Sequence, residues 1–131
     1  MSSRRALAAA VAAVAALLLS GCGNLSSDEV TTTVRAFAAP DADPATRCSL
    51  LADTTRSALV DSSGQPCEQA IADVPFGTGA VMSVDVWGTE AQVKLADDTL
   101  FLTQTADGWR VSAAACQAQG PDEPYDCQVE A

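Results

Sequence analysis

Five cysteines, Cys22, Cys48, Cys67, Cys116 and Cys127, carry the most specific chemistry this sequence offers. A cysteine can close a disulfide, hold a metal, attack an electrophile or carry a lipid. Spacing and composition exclude a zinc site, since no C-x₂₋₄-C pair exists and the chain contains no histidine. The redox C-x-x-C pattern is absent as well, and without histidine no Ser–His or Cys–His dyad can form. No Gly-x-Ser-x-Gly elbow, phosphate loop or dinucleotide fingerprint occurs. The acidic clusters Asp41/Asp43, Asp97/Asp98 and Asp122/Glu123/Asp126 have oxygens to offer calcium, but none has EF-hand spacing, and Asp-rich turns need no metal. No catalytic residue, metal ligand or cofactor is therefore expected.

The odd cysteine count points to the N-terminus. "MSSRR" supplies two positive charges, and the run from Ala6 to Leu19 holds no charge, Pro or Gly. About 14 apolar residues fall short of the roughly 20 that a spanning helix needs. This is the form of a secretory signal peptide over residues 1–21. It ends Leu19-Ser20-Gly21-Cys22, which resembles the bacterial lipobox at all four positions. The resemblance implies a diacylglyceryl thioether on Cys22, cleavage just before it, and anchorage on the extracytoplasmic face of the cell membrane. Residues 22–27 then form the lipidated cysteine and a short tether, and residues 28–131 a single domain.

Four cysteines remain, an even number in an exported domain, which is the pattern of a disulfide framework. They allow three connectivities; ready closure of short loops favours Cys48–Cys67 with Cys116–Cys127. The chain has 17 acidic and 7 basic residues. Arg4 and Arg5 leave with the signal peptide, so 17 acidic face 5 basic side chains, a net of −12 on the 110 residues from Cys22. Nucleic acid, bound mainly through cationic contacts to phosphate, is excluded as a partner. Repulsion from anionic lipid leaves the anchor to hold the domain at the membrane.

The elements follow from periodicity. Ser26 and Glu29 form a capping-box pattern, and Val30, Val34 and Phe37 repeat at i, i+4, i+7, which predicts a helix ending near Ala38. Asp43 and Pro44 are suited to start a second helix through Val60, with a break near Asp53-Thr54. Cys67 to Ala72 predicts a short third. After "PFGTG" the period becomes two: Met82, Val84 and Val86, then Ala91, Val93 and Leu95, then Leu100 and Leu102, then Trp109, Val111 and Ala113 define one apolar face. The expected fold is α+β, with N-terminal helices packed on one face of a curved four-stranded antiparallel meander. The tail from Cys116, polar and Pro-containing, is expected to be irregular and stapled by its disulfide.

Helices before an antiparallel sheet resemble the cone-shaped nuclear-transport-factor-2-like fold. A closer resemblance is to a group of small actinobacterial lipoproteins. It rests on the lipobox, Cys48 to Leu51, Cys67 to Ile71, the hairpin Asp107 to Trp109 and the tail Tyr125 to Cys127. The resemblance implies anchorage and a fold, and no activity. Enzymes of the cone fold place His, Asp or Tyr in the sheet's pocket, whereas the inward strand positions here are Met, Val, Leu, Ala and Trp. Ser83, Asp85, Lys94 and Arg110 fall on the polar face. Trp87 and Phe101 fall there too, and with Tyr125 they make a candidate contact patch unless the tail covers them. The expected function is a membrane-anchored, non-enzymatic accessory or protein-interaction module of the cell envelope. The alternative is a small-molecule binder using a cavity between helices and sheet.

Overall fold

The computed structural model describes residues 22–131, so the expected signal peptide and lipobox positions Leu19, Ser20 and Gly21 lie outside the described residues. Four helices come first: α1 (Cys22–Ala38), α2 (Pro44–Leu50), α3 (Asp53–Ser63) and α4 (Cys67–Ala72). Five strands follow: β1 (Val81–Trp87), β2 (Glu90–Leu95), β3 (Thr99–Thr105), β4 (Gly108–Gln117) and β5 (Asp126–Glu130). They form one open antiparallel sheet in the order β1-β2-β3-β4-β5. The class is α+β, but the sheet has five strands rather than four.

Local chemistry explains the helix ends. Asp43 caps α2 by accepting the Thr46 N–H at 2.7 Å, and that hydrogen bond holds its carboxyl below the ordinary range. Pro44 occupies the first turn, where its missing N–H costs nothing. The Arg47 guanidinium closes α1, donating to Phe37 O at 2.9 Å and Ala39 O at 3.1 Å while lying over the Phe76 ring. Gly64 ends α3 in the left-handed region at φ 67°. α1 differs from expectation at its start. It is already helical at Cys22, so the expected tether is helix, and Ser27 O accepts from Thr31 Oγ1 inside it.

One face of each element builds the core. Val30, Val34 and Phe37 are fully buried, as their spacing predicts, and belong to one core cluster with Val93, Leu102 and Val111 of the sheet. Each such side chain contributes roughly 1.5–3 kcal/mol through burial. α1 packs on β1, β2 and β4, and α3 on β4 and β5.

Two interruptions of the two-residue period correct the strand reading. The β1–β2 register shifts between Val81 and Ser83, and Met82, expected inward, is 69% exposed. The β3–β4 register shifts opposite Phe101 and Leu102, which pair with Ala113 and Val111 and leave Ser112 as the extra residue. The alternation flips there, as a bulge requires. Ala113 is buried as expected but pairs with Phe101, and it is Ala114 that joins the core cluster. α3 docks on this bulge: the Ala52 N–H donates to Val111 O at 2.8 Å, and the buried Thr55 hydroxyl donates to Ser112 O at 2.9 Å.

The tail supplies the fifth strand. Ala113 pairs with Glu130, Ala114 with Val129 and Cys116 with Cys127, so the second disulfide sits inside a ladder. Its sequence hides this, because Val129 is the one core residue in five.

The sheet has two distinct ends. At the hairpin end lie the β1–β2 and β3–β4 turns, joined by Gln104 N–H to Thr89 O at 2.8 Å. At the opposite end, the clasp end, the β2–β3 turn meets residues 77–79. α1 runs from one to the other: its first turns face Asp107 and Gly108, and its last turn faces Thr78 to Val81.

Candidate functional site

The clasp end is built on two adjacent carboxylates. Asp98 is buried and accepts three backbone N–H groups: Gly77 at 3.1 Å, Thr99 at 2.7 Å and Cys116 at 3.0 Å. Asp97 accepts Thr78 at 3.1 Å and Gly79 at 2.8 Å. Two side chains thus tie the "GTG" turn, the β2–β3 turn and β4 together. The glycines are required by closeness, since a Cβ on Gly77 would lie 2.5 Å from Asp98 Cβ, and one on Gly79 2.6 Å from Asp97 Oδ1. Ala115 adopts φ 53° just before the Cys116 N–H that reaches Asp98. This acidic pair, one of those weighed for calcium, is engaged by amides, and its chemistry is structural.

The hairpin end is different. A cleft of about 560 Å³ lies between the start of α3 and the β3–β4 hairpin, lined by Asp53, Arg56, Thr103, Asp107 and Arg110. Arg56 pairs with Asp53 at 2.9 Å, and Arg110 donates to the backbone carbonyl of Trp109 at 2.9 Å. A second cleft of about 420 Å³ lies between α1 and the same hairpin, bordered by Leu25, Asp28, Glu29, Trp109 and Arg110. Trp109 is buried, and its indole N–H has no acceptor among the described residues. Both clefts lie on the flank. The interior between helices and sheet is filled by Phe37, Leu51, Ile71, Leu100 and Leu102.

The structure pairs Cys48 with Cys67 and Cys116 with Cys127. The first joins α2 to α4, and the second joins β4 to β5. Cys22 opens α1. Of the three aromatics in the candidate patch, Phe101 and Tyr125 stack edge-to-face at 5.3 Å, so the tail covers Phe101. Trp87 stands apart at the end of β1, paired with Glu90 and 54% exposed. Sequence reasoning missed the clasp, Thr55 and the exposed Leu25. A "GTG" before a strand and "DD" in a turn carried the only signal for the clasp.

Compared with known protein families, curated proteins and solved structures, the chain matches none. Among the described residues no helix is long and apolar enough to cross a membrane.

Proposed function

We propose that this chain is a lipoprotein anchored through Cys22 on the extracytoplasmic face of the cell membrane. Its domain acts there as a non-enzymatic accessory or protein-interaction module. The observation that supports this reading is the arrangement of thiols. Four cysteines pair within the domain, and the fifth follows Leu19-Ser20-Gly21 at the start of α1. Stable disulfides belong to an oxidising compartment, and two acyl chains suffice for stable anchoring. The two bulges support a curved, cone-like reading of the sheet, because each adds local twist.

Mass spectrometry of the protein extracted from membranes, with and without reduction, tests the anchor. The expected result is a diacylglyceryl adduct on an N-terminal Cys22, together with two disulfide-linked peptide pairs. Cys22→Ser releases the chain from the membrane fraction. An unmodified Cys22 in membrane-extracted protein overturns the reading. The second reading, a small-molecule binder, draws on the 560 Å³ flank cleft with Arg56 and Arg110. It requires a ligand-dependent rise in melting temperature that Arg110→Ala abolishes.

A further inference from the structure

α1 begins at Cys22 without an intervening tether. Residues 22–27 therefore rise only about 9 Å, at 1.5 Å per residue. A group held by Cys22 stays beside the hairpin end, where the first turns of α1 lie against Asp107 and Gly108. Three large hydrophobic side chains are exposed among the described residues. Two of them, Leu25 at 65% and Trp87 at 54%, are at this end; Met82 is at the other end of β1. Leu25 is about one helical turn from Cys22, and Trp87 closes β1 at the Gly88-Thr89 turn. Neither belongs to the core.

We propose that Leu25 and Trp87 form a foot that seats the hairpin end in the interface of the bilayer carrying the Cys22 lipid. This rests on the lipid-anchor reading above. A tryptophan suits that depth, because its ring is apolar while its N–H remains at the headgroup level. The anchor makes the contact intramolecular, so two side chains suffice where a free domain would dissociate. Asp28, Glu29, Glu90 and Asp107 surround the same end, against Arg110. The foot therefore favours a zwitterionic surface and is weakened by anionic lipid at low salt. A protein partner laid along β1 would take Met82 together with Trp87. Only Trp87 shares its end with Cys22, which favours the bilayer.

The test uses the full lipidated protein in phosphatidylcholine vesicles, with the mass of Cys22 measured on the same sample. Trp109 is buried, so the difference between wild type and Trp87→Phe isolates the emission of Trp87. Blue-shifted emission, quenching by brominated acyl chains and loss of iodide quenching are expected. Part of each effect should reverse in phosphatidylglycerol-rich vesicles at low salt and return when salt is added. Iodide quenching without quenching by brominated lipid, on a chain whose Cys22 is lipidated, overturns the foot and leaves the anchor standing. Protection from both quenchers also overturns it, by showing that a second copy or another protein covers Trp87. An unmodified Cys22 overturns the anchor and the foot with it.

Discussion

The two ends of the sheet use similar materials, short turns, glycines and acidic residues, to opposite effect. At the clasp end, buried Asp98 and exposed Asp97 together accept five backbone N–H groups from three segments. At the hairpin end, Asp28, Glu29, Glu90 and Asp107 are exposed, and so are Leu25 and Trp87. Carboxylates that satisfy buried amides hold a fold together. Exposed apolar side chains beside solvated acids add little to it. In the reading proposed above, stability is concentrated at one end and contact at the other.

Substitutions can break or sharpen that contrast, read as urea midpoints at unchanged m-value. The largest loss is expected for Asp98→Ala, which strands the Gly77, Thr99 and Cys116 amides. At about 1–3 kcal/mol for an unsatisfied buried donor, and with some relaxation, we expect a loss of about 3–5 kcal/mol. Gly77→Ala comes next at about 2 kcal/mol, because its Cβ would collide with Asp98 Cβ. Thr55→Val, midway along the fold, leaves Ser112 O without its donor and should cost about 1–2 kcal/mol. At the hairpin end, Trp87→Ala and Leu25→Ser should stay within about 0.5 kcal/mol of wild type. A Trp87→Ala loss comparable to that of Asp98→Ala would erase the distinction between the ends.

The sequence disclosed these features unevenly, for physical reasons. Val30, Val34 and Phe37 were legible because a helix of constant period must bury such a stripe. Asp43 and Pro44 were legible because capping is local. Alternation in β4 was legible only as far as Val111. The extra residue at Ser112 reverses the face of everything after it, and alternation carries no mark of an insertion. Met82 was misplaced by the same kind of shift in β1. β5 escaped notice because five residues with Asp126 and Glu130 at their ends form a strand only against a waiting partner. Asp98 was unreadable for a third reason. Its partners Gly77 and Cys116 are 21 and 18 residues away, and tertiary approach alone brings them within reach.

The second disulfide has a consequence for proteolysis. Residues 118–124 form an exposed stretch between two strands that are bonded to each other at Cys116 and Cys127. A protease that cuts this stretch severs the peptide chain without detaching its last strand. Val129 stays in the core, and the fragment remains covalently held. The nicked molecule should migrate as one species on a non-reducing gel and as two once the thiols are reduced. In a compartment exposed to proteases, this exposed loop is thus one whose peptide bonds the domain can lose without losing a strand.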